Sequence, residues 1–246
     1  MYNIKGREVL WDMFLADKND NIKLEMHKPI RKNIALECDA PWEGEHCGYG
    51  SLIYDGEKYR LYYRGLGSDG GPWKNETEVG VGTHCVWCVA YSDDGKTFYK
   101  PNLGKYEFEG SKDNNILKDY SVDNFMVFRD ENPECRNGEE YKCVLQATKS
   151  VEGVNKQYLK CMFSSDGINF IDGYEITDCG AFDSLNVAFW DKEAQIYRCY
   201  FRGFHPKGSK NPEMSAPYDW KTDVRDIRYS ESKDFKEWSK QRILDL

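Results

Sequence analysis

Three short polar clusters in this chain carry the residue types that acid–base and hydrogen-bonding chemistry needs. "PWEGEH" (41–46) holds Glu43, Glu45 and His46, "SVDN" (121–124) holds Asp123 and Asn124, and "FDSLN" (182–186) holds Asp183, Ser184 and Asn186. Each stands just ahead of an apolar run. Arg64 in "YYRG", Gln146 in "VLQA" and Arg202 in "YFRG" each close the following run. Carboxyls can protonate a leaving oxygen or activate water, and amides can bind hydroxyls. Flat rings such as Trp42, Tyr49, Phe182 and Phe204 can stack on sugar faces. The set points to carbohydrate chemistry. Glu43, Glu45, Asp123 and Asp183 are the candidate catalytic acids, and Trp42, His46, Arg64, Asn124, Gln146, Asn186 and Arg202 the candidate substrate-binding residues. A plainer reading has Asp123 and Asp183 capping turns, with the two arginines pairing with nearby carboxylates and orienting them.

The elements that must position these residues are repeated hairpins. "GYGSLIYDGEKYRLYYRGLG" (48–67), "NFMVFRDENPECRNGEEYKCVLQA" (124–147) and "NVAFWDKEAQIYRCYFRGF" (186–204) each read as an apolar strand, an acidic turn and a second strand of alternating aromatics. A second phrase follows each one: "CVAYSDDGKTFYKPNLG" (88–104), "CMFSSDGINFIDG" (161–173) and "IRYSESKDFKEWS" (227–239). Each is a hydrophobic run ending in Ser, then a turn, then an aromatic. Asp94 and Asp166 belong to Asp-Gly turns, and Asp55, Asp130 and Asp191 read as ordinary turn acids after strand one. The turn serines, taken as Ser92, Ser164 and Ser230, recur about every 70 residues, a longer period than that of short propeller blades.

The sequence thus predicts an all-β fold, a β-propeller of four-stranded antiparallel blades over about 46–110, 120–175 and 182–240. An N-terminal segment, 1–45, would supply one further hairpin within 8–30. If the first strand starts near the axis and the second returns, the candidate residues gather around a funnel on one face. Three blades do not make a ring. The chain stops at "QRILDL" where a next blade would begin, so it is expected to be part of a longer ring or to self-associate through its exposed blade edges.

Composition narrows the partners. A net charge of −8 and no basic run interleaved with aromatics exclude nucleic acid and anionic membranes as expected partners. No apolar segment reaches spanning length, and a cytoplasmic protein is expected. The 9 cysteines are odd in number and scattered, which suits a reducing compartment. "CVWC" (85–88) has metal spacing, but strand alternation sends its thiols to opposite faces, and His27, His46, His84 and His205 form no ligand pattern.

In order along the chain, "PWEG" (41–44), "SDDGKTFYKPNLG" (92–104), "DNNIL" (113–117), "VFRDENP" (127–133), "SSDGINF" (164–170), "FDSLNVAFWD" (182–191) and "SKDFKEW" (232–238) resemble the five-bladed propeller glycosidases of the arabinanase and invertase clan, glycoside hydrolase families 43 and 32. The resemblance implies a five-bladed ring and a funnel trio of two Asp and one Glu. Here that would be Glu43 or Glu45 with Asp123 and Asp183. The invertase "DPNG" motif is absent, and Asp130 follows strand one instead of preceding it, so it is not equated with the invertase "RDP" aspartate. The expected activity is hydrolysis of a short oligosaccharide or glycoside without a cofactor. An axial calcium occurs in such families, but no ligand cluster here predicts one. The related mannoside phosphorylases hold a phosphate with basic residues, a role open to Arg64 and Arg202. A non-catalytic carbohydrate-binding or scaffold propeller is the remaining alternative.

Overall fold

The computed structural model describes residues 13, 20–67, 84–118, 124–209, 218–219 and 221–244. The chain divides into two units, 1–33 and 34–246. In the first, residues 20–33 carry no strand, and Ile22, Leu24, Met26 and Ile30 lie exposed. The apolar alternation that predicts a hairpin over 8–30 becomes a strand only with a ladder partner, and residues 20–33 have none. The rest of that hairpin, 8–12 and 14–19, lies outside the described residues, as do 68–83 and 210–217 of the two long loops.

The second unit is built from three antiparallel four-stranded sheets, with strands in chain order. Sheet one is β1 (His46–Tyr54), β2 (Tyr59–Gly67), β3 (His84–Ser92) and β4 (Ile116–Lys118). Sheet two is β5 (Phe125–Arg129), β6 (Tyr141–Val151), β7 (Val154–Ser164) and β8 (Ile171–Thr177). Sheet three is β9 (Val187–Asp191), β10 (Ile196–His205), β11 (Val224–Ser232) and β12 (Arg242–Ile243). A 3-10 turn at Pro41–Glu43 is the one helical element among the described residues. The sheets begin at His46, Phe125 and Val187. The fourth strand of sheet one comes later than the expected boundary at 110. After one bridge between Tyr91 and Tyr99, Pro101 cannot donate to a ladder, and Gly104 and Gly110 at positive φ turn the chain away before it returns as β4.

Sheets one and two enclose Tyr62, Trp87, Val89, Phe125, Val127, Leu145 and Met162, with Trp87 stacked on Phe125 at 4.2 Å between centroids. Sheets two and three enclose Phe128, Val144, Leu159, Phe163, Tyr197, Phe201 and Phe235. The first strands lie side by side, β1 against β5 and β5 against β9. Ser51 on β1 accepts the Val127 N–H of β5 at 3.1 Å.

Each sheet carries the same two local devices. One is an ion pair between the acid that ends strand one and a cation near the start of strand two: Asp55–Arg60 at 2.5 Å, Asp130–Lys142 at 2.9 Å and Asp191–Arg198 at 2.9 Å. The other is a Ser-x-Asp turn after strand three. Ser92 Oγ accepts the Gly95 N–H at 2.9 Å, and Asp94 Oδ1 accepts those of Lys96 and Thr97 at 2.8 and 3.0 Å. Ser164 and Asp166 repeat this with Gly167, Ile168 and Asn169. In sheet three the equivalent serine is Ser232, two residues beyond the expected Ser230: Asp234 accepts the Lys236 and Glu237 N–H groups, both at 2.9 Å. Ser230 is a buried strand residue.

The backbone position that Gly95 and Gly167 fill at φ 69° and 72° is Phe235 in sheet three, at φ 61°. Its fully buried ring fills the core between sheets two and three, so packing holds a phenylalanine in a conformation that favours glycine. Phe235→Ala loses the ring and keeps the strain, whereas Phe235→Gly loses the ring and relieves it. Urea denaturation should therefore show Phe235→Gly to be the milder substitution, by about 1 kcal/mol.

The turn aspartates also set an acid limit. The Lys96 and Thr97 N–H groups hold the Asp94 carboxyl below its usual range, and those of Glu237 and Lys236 do the same for Asp234. At Asp166 burial opposes the shift, but the Asn169 and Ile168 N–H groups outweigh it. A carboxyl depressed in the folded state stabilises above its unfolded pKa, about 3.9, and that stability is lost as pH falls through the folded value. Thermal melts from pH 7 to pH 2.5 should be level in the neutral range and drop below about pH 4.

Candidate functional site

Equivalent ladder positions of β2, β6 and β10 and the residues just before β5 and β9 come together, joined by hydrogen bonds. Arg64, near the end of β2, donates to Asn124 Oδ1 at 3.4 Å, and its guanidinium lies over the Tyr49 ring at 4.5 Å. Asn124 donates in turn to the Phe182 carbonyl at 3.3 Å, and Asn186 donates to the same oxygen at 3.0 Å. The Gln146 backbone N–H of β6 reaches the Asn124 carbonyl at 3.4 Å. From β10, the Arg202 carbonyl accepts the Ala181 N–H at 2.8 Å, and its guanidinium pairs with Asp183. Five of the expected binding residues (Arg64, Asn124, Gln146, Asn186, Arg202) and one expected acid, Asp183, are thus brought together from all three sheets.

The polarity of this cluster is only partly used by the protein. Gln146 Oε1, Asn186 Oδ1 and Arg202 Nε are buried and have no protein hydrogen-bond partner. Groups of this kind, at 8% exposure for Gln146 and 1% for Asn186, are costly to bury unless water or a ligand completes them. Burial and the nearby Arg225 guanidinium pull Arg202 below its usual range. Asp183 is about half exposed and faces solvent beside it.

Two expected site residues lie elsewhere. Glu43 is fully buried and accepts hydrogen bonds from the Tyr63 hydroxyl at 2.5 Å, Lys100 Nζ at 2.8 Å and the Ala40 N–H at 2.8 Å. Trp42 packs edge-on against Phe108 and donates to Asn115 Oδ1 at 2.8 Å, in the outer core of sheet one with Tyr63 and Val86. The cause is the 3-10 turn at Pro41–Glu43, which turns "PWE" toward the outer core. Glu45 and His46 are exposed at the start of β1. Asp123 lies outside the described residues.

Residues that the sequence reading passed over line the flank of the cluster. A cavity of about 730 Å³ on sheet three is bordered by Ser184, Arg202, His205, Arg225 and Asp226, with Tyr200 and Ile227 among its apolar walls. His205 Nδ1 lies 2.7 Å from Asp226 Oδ2, and Asp226 also pairs with the fully buried Arg228 at 2.9 Å. The signal was the glycine of "YFRG". A Cβ on Gly203 would stand 1.9 Å from Arg228 Nε, so this position must lack a side chain to admit the ion pair. Gly65 of "YYRG" has the same need, with the Glu43 backbone 2.7 Å from its would-be Cβ. Gly203→Ala should cost about 1–3 kcal/mol of stability, read as a lower urea midpoint.

Among the described residues no group of three His, Cys, Asp or Glu side chains could hold a metal ion, and no helix is long and apolar enough to cross a membrane. All nine cysteines are free, and Cys85 and Cys88 are both buried.

The fold and cluster define an all-β protein of three antiparallel four-stranded sheets with a polar site where the sheets converge. No protein-family model matches the chain, and no curated protein does. Among solved structures it is similar to an N-acetylgalactosamine deacetylase from F. plautii, seen in complex with blood group B trisaccharide. The TM-score is 0.48 at 12% identity, over 84% of this chain and 56% of that one. The chain therefore spans little more than half of that protein's length, and a likeness at this level carries no inference about chemistry.

Proposed function

We propose that the three sheets are consecutive blades of a propeller and that the chain is a glycoside hydrolase acting on a short oligosaccharide or glycoside. The observation that carries this reading is the convergence of Arg64, Asn124, Gln146, Asn186 and the Arg202–Asp183 pair, with buried amide oxygens left for a ligand to complete. Sugar hydroxyls, each both donor and acceptor, match such groups. The side-by-side first strands support the propeller arrangement.

Roles follow from charge. The Arg202 guanidinium holds the Asp183 carboxyl at the cluster, which suits Asp183 to activate water or attack the anomeric carbon. Asp123, one residue before Asn124, is the proposed acid that protonates the leaving oxygen, and Glu45 is the third carboxyl. Glu43, already saturated by three donors, has no part. Release of aryl alcohol from a panel of aryl glycosides tests the proposal, and inertness toward every pyranoside and furanoside tried would overturn it.

One observation favours a second reading. Arg202 and Arg225 border the same cavity on sheet three, two guanidiniums that one anion could bridge. In a phosphorylase that anion is the phosphate that replaces water. Turnover would then require phosphate and fail in Arg202→Ala, whereas turnover indifferent to phosphate excludes it.

A further inference from the structure

The two sheet–sheet interfaces use equivalent positions, and sheet three presents the same positions with no further sheet against them among the described residues. At the first interface Arg60 donates to the Asp166 carbonyl at 2.5 Å and lies over the Tyr141 ring at 5.0 Å, while the Tyr62 hydroxyl donates to the Gly167 carbonyl at 3.0 Å. An Arg-x-Tyr pair on strand two of one sheet thus grips the Asp-Gly turn and strand-two tyrosine of the next. At the second interface Lys142 takes the cation's place and faces Tyr197 and Phe235 of the next sheet at 6.0 and 5.6 Å.

Register makes Arg198 and Tyr200 the equivalents of Arg60 and Tyr62: Tyr59, Tyr141 and Tyr197 pair with Ser92, Ser164 and Ser232 in turn. Arg198 pairs with Asp191 as Arg60 does with Asp55. Arg198 and Tyr200 are on the face of sheet three turned away from sheet two, with Phe189, Ile227 and Tyr229, and Ile227 is 46% exposed. The matching half is on sheet one. Among the described residues no preceding sheet packs on its Asp94-Gly95 turn and Tyr59, and Leu52 and Tyr54 of β1 are 55% and 53% exposed on the same face. On that face Leu36 and Trp42 pack with Tyr63 of β2 and Val86, Cys88 and Ala90 of β3, while Leu52 and Tyr54 of β1 stay exposed.

We propose that sheet three of one copy docks on sheet one of a second copy, with Arg198 and Tyr200 gripping the Asp94 and Gly95 carbonyls as Arg60 and Tyr62 grip those of Asp166 and Gly167. The same contact made twice about a two-fold axis closes a ring of two chains, six sheets in place of the five that the family resemblance implies. The ring shape rests on the propeller reading, whereas the contact itself rests on the repeat.

Sedimentation of the full chain at tens of micromolar should give a species of twice 28.7 kDa. Ile227→Glu and Leu52→Glu, at exposed positions on the two halves, should each return it to monomer with unchanged circular dichroism. Tyr200→Phe, which removes only the hydroxyl, should weaken the dimer about three- to tenfold. A wild-type monomer, or a dimer indifferent to all three substitutions, overturns the proposal. Glycoside turnover by a monomer would do so while leaving the proposed function standing.

Discussion

Asp183→Asn is expected to lower kcat/KM for a cleavable aryl glycoside by about 10²–10⁴-fold while leaving the melting temperature nearly unchanged. The carboxyl is about half exposed, so the amide can occupy its place without a packing cost, and the variant differs mainly in lacking charge and basicity. Arg202 would lose its counter-ion, which separates two roles. If Asp183 only orients Arg202, the loss should appear chiefly in KM, because a positioning defect of this kind weakens ground-state binding. If the carboxylate meets water or the anomeric carbon, kcat carries the loss. Azide or formate restoring activity to Asp183→Ala would indicate the same role.

The second large effect is on stability. Asp130→Ala should cost about 3–5 kcal/mol, because it leaves the charge of the buried Lys142 to a longer pair with Glu139 at 3.5 Å. The Asp130 and Lys142 side chains are 0% and 2% exposed, their ion pair spans 2.9 Å, and the Tyr197 hydroxyl of sheet three donates to Asp130 at 2.6 Å. The carboxylate thus ties β5 to β6 and sheet two to sheet three. At about 2–4 °C per kcal/mol for a chain of this size, the melting temperature should fall by about 6–20 °C. Asp130→Ala with Lys142→Met should recover much of the loss, because the pair then becomes apolar. An acid expected to be an ordinary turn residue proves to be a structural one. Its "VFRDENP" setting does not show this, because the partner lysine comes twelve residues later across a loop.

Much of the fold was legible because strand signals are local. Alternating apolar residues with Asp- and Gly-bearing turns located the strand-one and strand-two hairpins of all three sheets. The turn phrase located strand three, although its third copy was read two residues early because Phe235 replaces the glycine that marks the others. The fourth strands were less legible, since their pairing depends on where the chain returns after Pro101 or Trp238.

The site was legible where it depended on ladder register. Arg64, Gln146 and Arg202 hold equivalent ladder positions, and Asn124 and Asn186 precede equivalent strands, so topology alone brings them together. It was not legible where a side chain could turn either way. Glu43 and Trp42 also precede strand one, but the 3-10 turn points them into the outer core of sheet one. His205 and Asp226 escaped notice because their pairing is across strands, with no trace in linear spacing.

The most direct test of the central claim is aryl-alcohol release from a glycoside panel, by the wild-type chain beside Asp183→Asn, with and without phosphate. The account predicts release that needs no phosphate and is lost in the variant. Equal turnover by the two proteins, or none by the wild type on any substrate, would contradict it.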